Sequence, residues 1–282
     1  MFGLLHKRSR YEDPATLSTE QLDFWKANGY LKLTGAISSS EREAILSEVN
    51  GHWSLREGND HLIDVLSGEY AGKEFRLADA PLSVRQQSYK LNNLFGRSSI
   101  VRRVALNATI KAALSTLLDG TPLICNTLNF ERGSQQPFHL DTWYMPPPVE
   151  GKMVAAIIAL DDIGADNGPF TYYPGSHAIK PYYFSHGRLN IVNEEAQACI
   201  NYLNAEIEKR NLAPTTLECK AGDVFFWHSN LYHGGAAIND MSLTRRSLVV
   251  HYWRTQDVPS NQVRKDGENA YLGRTLRGEI TF

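Results

Sequence analysis

A series of short apolar segments from Leu123 onward constrains the fold of this chain more than any other feature. The segments cover residues 123–130, 138–145, 153–160, 170–173, 223–228 and 246–253. Turn residues separate them, such as the Asp, Asn and Gly at 166–168 and the Pro, Gly and Ser at 174–176. Many short strands separated by regular turns are typical of an all-β sandwich or barrel, so we predict a mainly β core.

Sequence signals for helices occur before the β region and once within it. Ser18 and Gln21 have the spacing of a capping box, which predicts a helix that Gly29 can end. Capping signals and apolar residues at helical spacing predict further helices after Ser38, over 110–118 and over 193–210.

These elements predict one domain over residues 1–282, with flanking α-helices around the β core. A mostly helical part covers 1–120, and a C-terminal tail covers 256–282. The β core between them covers 121–255 and carries a helical insertion near 180–212. A chain of 282 residues is within the size that mainly β proteins reach as one domain.

The charge balance and the cysteines exclude several classes of protein. The chain has 29 Lys and Arg against 31 Asp and Glu, whereas a nucleic-acid-binding domain carries a basic excess. The longest apolar segment, 153–160, is much shorter than the ~20 residues that cross a bilayer, and residues 1–14 hold no apolar stretch long enough for a signal peptide. Three widely spaced cysteines fit a reducing compartment. We therefore expect a cytoplasmic protein that binds neither nucleic acid nor membrane.

The sharpest chemical motif is the pair of His139 and Asp141. Side chains two apart on a strand point to the same face, so this segment predicts an imidazole beside a carboxylate. Two imidazoles and one carboxylate form the facial triad of non-haem Fe(II) oxygenases, and His233 downstream supplies the second imidazole. By itself such a pair is more often two polar residues on a surface strand than a metal site.

Arg245 and Arg246 strengthen the reading of His139 and Asp141 as metal ligands. They precede the last apolar strand, where neighbouring residues face opposite ways, so we expect one arginine to be buried and the other solvated. A buried arginine needs an anionic partner, and a guanidinium binds a carboxylate through two parallel hydrogen bonds. The carboxylate of a cosubstrate would serve.

Taken together, four segments give the chain a resemblance to a known family. They are 139–141, then 166–170 leading into 174–177, then 222–226, and last 233–235 followed by Arg245. In this order and spacing the chain resembles the phytanoyl-CoA dioxygenase family of Fe(II)- and 2-oxoglutarate-dependent oxygenases. The resemblance extends from about Gly29 to Trp253 and implies a double-stranded β-helix core, the jelly-roll of cupin-like proteins, with helices packed outside.

The resemblance also implies roles for single residues. It makes His139, Asp141 and His233 the iron ligands, and it makes Arg245 the residue that binds the distal carboxylate of 2-oxoglutarate. It aligns further contacts to 2-oxoglutarate with Ser247, Lys90 and Thr127. Leu140 and Gly235 depart from residues common in the family.

The reaction that the resemblance implies is hydroxylation of an unactivated C–H bond of a small or mid-sized organic metabolite. 2-Oxoglutarate and O₂ are consumed, succinate and CO₂ are released, and ascorbate supports turnover in vitro. Asp141 stands where related halogenases have Gly or Ala, so desaturation or cyclisation are the variants to consider rather than halogenation. A redox-neutral cupin-type metal enzyme and a catalytically silent binding protein are alternatives, and the intact triad with Arg245 argues against both.

Several residues near these motifs have two readings. His228 competes with His233 as the second histidine, and we prefer His233 because Gly-Gly and the arginine follow it. His251 is read as a core histidine with its hydrogen bonds satisfied. Trp143 and Tyr144 are predicted to contact substrate, with plain packing as the equal alternative.

The sequence constrains the identity of the substrate less than it constrains the metal ligands. Candidate pocket segments are the one before Arg76, the loop 146–151 and the stretch 180–210. The aromatic and partly cationic residues of 181–188 favour a mid-sized polar or anionic molecule, and they equally fit a lid packed on its own aromatic rings. Nothing in the sequence indicates the oligomeric state.

Overall fold

The computed structural model describes residues 17–274, which form thirteen strands and five α-helices. The helices are α1 (Thr19–Asn28), α2 (Ser39–Ser54), α3 (Ser99–Ala105), α4 (Ala108–Leu118) and α5 (Ala196–Lys209). The strands are β1 (Tyr30–Leu33), β2 (Leu62–Val65), β3 (Glu74–Arg76), β4 (Tyr89–Asn92), β5 (Pro122–Phe130), β6 (Met153–Ala159), β7 (Phe170–Tyr172), β8 (Thr215–Thr216), β9 (Val224–His228), β10 (His233–Gly235), β11 (Ser247–Arg254), β12 (Val263–Asp266) and β13 (Asn269–Leu272).

Two antiparallel sheets face each other. The ten-stranded main sheet has the order β1-β9-β6-β11-β5-β4-β2-β3, and the β12–β13 hairpin adds to it through a parallel pairing of β13 with β5. The minor sheet has the order β10-β7-β8. Two facing sheets with helices outside confirm the predicted mainly β, jelly-roll class of fold.

The side chains of the central strands point alternately into two separate cores. On β6, Ala155 and Ile157 face the minor sheet, whereas Val154, Ala156 and Ile158 face the helices. Both faces are therefore buried, which explains why this segment is apolar throughout instead of alternating with polar residues. The helices α1 to α4 belong to the outer core, and the functional site lies on the inner side, between the sheets.

The predicted helix signals are confirmed. Ser18 and Ser38 each form a complete capping box, Gly29 ends α1 in the left-handed region, and Asp119 does the same for α4. Within residues 17–274 no helix is both long and apolar enough to cross a bilayer.

Three parts of the predicted organisation need correction. The part up to residue 120 contributes strands β1 to β4 as well as helices, because short half-polar strands can pair at the edges of the sheet. Residues 138–145 form a single bridge and a 3-10 helix instead of a strand. Residues 263–272 of the predicted tail form a hairpin beside β5. The predictions for residues 1–14 and for the end of the tail, 275–282, lie outside the described residues, and the single domain over 1–282 stays a prediction.

Candidate metal and cosubstrate site

Two glycines allow the two histidine segments to meet between the sheets. His233 begins β10 and forms an isolated antiparallel bridge with His139, with N–O distances of 2.7 and 3.1 Å. A Cβ atom on Gly234 would lie 2.9 Å from the Gln136 oxygen, and one on Gly235 would lie 2.7 Å from the Gln135 nitrogen. The Gly-Gly after His233 is therefore needed for the close approach of the segment that carries His139.

A 3-10 helix, Asp141–Trp143, places the carboxylate. The Oδ2 atom of Asp141 accepts a hydrogen bond of 2.8 Å from the indole Nε1 of Trp227 on β9. Its Oδ1 atom lies 3.9 Å from Nε2 of His139 and 3.6 Å from Nε2 of His233. One carboxylate oxygen is thus anchored by the sheet, and the other faces the two imidazoles.

Backbone carbonyls set the tautomer of both imidazoles. Nδ1 of His139 lies 2.8 Å from the carbonyl oxygen of Pro137, and Nδ1 of His233 lies 2.8 Å from that of Leu231. Because a carbonyl only accepts, each Nδ1 carries the proton and each Nε2 presents a lone pair. Ligand atoms of His139, Asp141 and His233 all lie within 4.8 Å of one another. This donor set fits a divalent first-row metal, and a carbonyl-bound Nδ1 is the usual support of a metal-binding histidine.

Burial of the two histidines and the effect of their imidazoles on Asp141 keep the three groups in the protonation states that a metal needs. Burial lowers the pKa of His233 to about 4, against the opposing effect of Asp141, and it lowers the pKa of His139 in the same direction. Burial alone would raise the pKa of Asp141, but the neighbouring imidazoles outweigh it and hold that pKa below its usual range. At neutral pH the site therefore consists of two neutral imidazoles and one carboxylate.

Arg245 lines the same cavity as the three ligands. We call it the inner cavity, and its walls include His139, Asp141, His233 and Arg245. The side chain of Arg245 is 3% exposed, its Nε atom has no hydrogen-bond partner, and no carboxylate within residues 17–274 pairs with it. Burial lowers its pKa to about 10, which still leaves it charged at neutral pH. A buried, charged and unpaired guanidinium is costly unless an anion joins it.

Arg246 behaves as the solvated member of the pair, as predicted. It binds Asp161 through two hydrogen bonds of 2.8 and 2.7 Å. Asp161 also accepts hydrogen bonds from the Thr244 hydroxyl and the Arg246 amide, and Asn167 donates to the Thr244 carbonyl. The turn at 166–168 thus holds the backbone that orients Arg245.

Two of the three other predicted cosubstrate contacts lie near this site, and one does not. Ser247 is fully buried, its hydroxyl has no partner, and it shares a strand face with Val249, which lines the inner cavity. Lys90 lines a larger neighbouring cavity and pairs with Asp64 at 3.1 Å. Thr127 points to the opposite face of β5, where its hydroxyl accepts from the Phe95 amide.

The neighbouring cavity contains both predicted substrate-contact residues. We call it the outer cavity: it has a volume of about 570 Å³ and shares His139, Asp141 and His251 with the inner cavity. Trp143 is buried at its wall, and Tyr144 is 60% exposed at its side with its ring 5.8 Å from the ring of His139. Trp143 reaches this wall from the 3-10 helix Asp141–Trp143 and not from a strand.

The reading of His251 as a satisfied core histidine is wrong. It is buried, its Nδ1 has no hydrogen-bond partner within residues 17–274, and its Nε2 lies 3.5 Å from Oδ1 of Asp141. His228, in contrast, accepts from the Asn230 amide and packs against Trp25 and His177, away from the ligands. The preference for His233 over His228 therefore agrees with the geometry.

Trp227 was missed by the sequence analysis and supports a testable role. We expect Trp227→Phe to weaken Ni(II) or Fe(II) binding about tenfold, since hydrogen-bond partners of metal ligands are worth about 10–100-fold in affinity. Metal titration monitored by calorimetry measures this. Trp253→Phe is the matched control, because its indole donates to Met153 outside the site. Equal affinities for both variants would contradict the role.

The chain matches the family model for phytanoyl-CoA dioxygenase (PhyH) over residues 25–246. This range includes His139, Asp141, His233 and Arg245. It ends before Ser247 and His251.

Solved structures share the fold at low sequence identity. The carbocyclase SnoK from nogalamycin biosynthesis, described as non-heme and alpha ketoglutarate dependent, is 18% identical, with 86% of this chain and 87% of that chain covered and a TM-score of 0.65. EctD from S. alaskensis with 2-oxoglutarate and 5-hydroxyectoine is 17% identical, with 89% and 80% covered and a TM-score of 0.60. The epimerase SnoN with Fe3+, alpha ketoglutarate and nogalamycin RO is 16% identical, with 90% and 97% covered and a TM-score of 0.61.

Proposed function

The chain belongs to the phytanoyl-CoA dioxygenase family, and from this we propose that it is an Fe(II)- and 2-oxoglutarate-dependent oxygenase that hydroxylates an unactivated C–H bond of a small organic metabolite. One observation carries the proposal. Three metal-ligand atoms and an unpaired buried guanidinium, that of Arg245, line one cavity. A metal together with a dicarboxylate satisfies both at once.

The fit of the two groups rests on atoms that the described protein leaves without partners. The Nε2 lone pairs of His139 and His233 and the Oδ1 atom of Asp141 would hold Fe(II). The guanidinium of Arg245 would bind the distal carboxylate of 2-oxoglutarate, and the orphaned hydroxyl of Ser247 would donate to the same group. Iron with 2-oxoglutarate and O₂ supplies the oxidising chemistry, with succinate and CO₂ as coproducts.

The remaining residues position the substrate and limit access of water. Apolar side chains line the inner cavity around the cosubstrate position, among them Ile157, Phe170 and Val249. The substrate would enter the outer cavity, whose floor is made by His139 and Asp141, so its reacting carbon would lie beside the metal ligands. The carbonyls of Pro137 and Leu231 keep the imidazole protons on Nδ1 throughout.

Thermal melting and turnover test the proposal. We expect Ni(II) and 2-oxoglutarate together to raise the melting temperature by several degrees, since a ligand at about 100 times its Kd adds about 2.7 kcal/mol. Glutarate, which lacks the keto group, serves as the control and should give a smaller shift. With Fe(II), ascorbate and O₂, slow substrate-free formation of succinate is expected. Absence of metal binding together with absence of succinate would refute the proposal.

Desaturation or cyclisation is the second candidate outcome of the same chemistry. Cyclisation is supported by one structural neighbour, SnoK, which is described as a carbocyclase. Mass spectrometry of the product separates the cases: hydroxylation adds an oxygen atom, whereas desaturation and cyclisation remove two hydrogens.

A cytoplasmic location is part of the proposal and is supported by the three unpaired, buried thiols of Cys125, Cys199 and Cys219.

A further inference from the structure

The outer cavity is lined by an unusual number of side-chain amides. They come from four separate segments of the chain, and they surround the space next to the metal ligands: Asn92, Asn93, Asn126, Gln136 and Asn190. Each primary amide carries two hydrogen-bond donors and one acceptor. The Nδ2 group of Asn92 already donates to the Leu62 carbonyl and to Asp64, and the other amides offer the cavity both kinds of partner in several directions.

Asn126 shows that this polarity is not satisfied within the protein. It is 8% exposed, its Nδ2 atom donates to Oδ1 of Asn93 at 3.0 Å, and its own Oδ1 atom is buried without a partner in the described part of the chain. Reversing the amide would exchange the orphaned acceptor for an orphaned donor and remove nothing. A buried unsatisfied polar group costs about 1–3 kcal/mol, so a ligand that bonds Asn126 recovers that energy.

Other cavity groups are equally free to bind a ligand. The side chains of Gln136 and Asn190 are half-buried and make no hydrogen bond within residues 17–274. Nδ1 of His251, at the boundary with the inner cavity, is buried and has no partner within residues 17–274, whereas its Nε2 lies 3.5 Å from Oδ1 of Asp141. The ligand that satisfies these groups must present several donors and acceptors around its edge.

The charges of the outer cavity do not favour an anion. Lys90 is the one Lys or Arg among its described lining residues, and its ammonium lies 3.1 Å from Oδ2 of Asp64. Asn92 donates to the same carboxylate oxygen at 3.3 Å. The cation is thus neutralised before a ligand arrives, whereas Arg245 in the inner cavity is not.

The aromatic segment 181–188 contributes little to this cavity. Tyr182 packs its ring against those of Phe184 and Tyr202, and Phe184 is buried in a separate core with α5. The interpretation of this segment as a self-packed lid is the one that the contacts support. The apolar side chains that do line the outer cavity are the rings of Trp143 and Tyr144 together with Leu128, Met145 and Ile191.

We propose that the outer cavity binds a neutral, hydroxyl-rich ring, such as a sugar or cyclitol unit, and that the oxidised C–H bond belongs to this ring or to the group it carries. Each ring hydroxyl is both donor and acceptor, as the amides require, and the C–H faces of the ring would pack on Trp143 and Tyr144. This inference rests on the proposed oxygenase function for its reaction, but not for its binding chemistry.

Calorimetry with matched probes tests the chemical class. The protein is loaded with Ni(II) and 2-oxoglutarate, and it is also measured without metal, because the amides belong to the protein. We expect methyl α-D-glucopyranoside or myo-inositol to bind at least tenfold more tightly than glucose 6-phosphate, cyclohexanol or hexanoate. Preferential binding of a phosphate, carboxylate or aliphatic probe, or no binding of either polyol, would overturn the proposal.

Two variants link binding to the amides. Asn126→Leu is expected to weaken polyol binding at least tenfold, and Asn190→Ala, a milder change on a half-buried loop residue, several-fold. Gln197→Ala, an exposed amide on α5, is the matched control with unchanged binding. Unchanged polyol affinity in both cavity variants would refute the site. Wild-type protein that binds Ni(II) and 2-oxoglutarate but no polyol would refute only the substrate class, whereas polyol binding without metal binding would refute only the oxygenase function.

Discussion

Replacement of Asp141 by alanine is expected to abolish 2-oxoglutarate turnover and to lower Fe(II) or Ni(II) affinity by at least about 100-fold. Asp141 is the one carboxylate among the three ligand groups, and it carries the negative charge that two neutral imidazoles cannot supply. Loss of a direct ligand should exceed the roughly 10–100-fold effect of losing an outer hydrogen-bond partner. Calorimetric metal titration and succinate formation measure the two effects separately.

The controls separate the loss of a ligand from the loss of the fold. Asp141→Asn keeps the size of the side chain and an oxygen for the Trp227 indole, so it should fold while binding metal poorly. Because Asp141→Asn keeps the acceptor for Trp227, the metal-free variant should remain folded, which its melting curve measures. Asp162→Ala, at an exposed carboxylate paired with Lys220, should bind metal as wild type does. Metal affinity that survives in both Asp141 variants would remove Asp141 from the ligand set.

The sequence predicted the central strands well because their burial leaves a strong signal. Strands β5, β6, β9 and β11 are covered on both faces, so each appears as a mostly apolar segment between turns, with polar residues such as Asn126 on β5 and His251 on β11 as exceptions. The edge strands lack this signal. On β1, Lys32 is exposed and only Leu31 is buried, so the four residues resemble a loop until their pairing with β9 is known.

The ligand set was predicted correctly in composition, but by a local argument that the structure replaces. His139 and Asp141 were expected to share the face of a continuous strand. They converge because the chain passes from the bridge between His139 and His233 directly into a 3-10 helix. This helix turns the side chain of Asp141 inward. This convergence depends on the close approach at Gly234, which is a tertiary contact and leaves no periodic signal in the sequence.

The face of the strand on which a residue lies explains which contacts the sequence predictions missed or misassigned. On β5 the inward face carries Asn126 and Leu128, so Thr127 between them faces the outer core. On β11 the residues that alternate from Ser247 all face inward, which places His251 beside Asp141. The alternation was readable in the sequence for β11, whereas the choice of face for β5 depended on the sheet order.

Replacement of Arg245 by alanine is expected to raise the KM for 2-oxoglutarate about 100-fold and to leave metal affinity nearly unchanged. Removing one partner of a buried charge pair costs about 2–5 kcal/mol, and each 1.4 kcal/mol is a tenfold change. Arg245→Lys should recover part of the affinity, because an ammonium keeps the charge but loses the two parallel hydrogen bonds. Succinate formation against 2-oxoglutarate concentration gives KM, and metal titration provides the second readout.

Arg246→Ala is the adjacent control, because its guanidinium binds Asp161 and does not line the inner cavity. Its KM for 2-oxoglutarate should remain at the wild-type value. The stability of Arg245→Met distinguishes a binding arginine from a structural one. Methionine fills the space without a charge, and no carboxylate within residues 17–274 pairs with the guanidinium, so the melting temperature of the ligand-free variant should not fall. A strongly destabilised Arg245→Met protein with a normal KM would assign Arg245 to the fold instead of the cosubstrate.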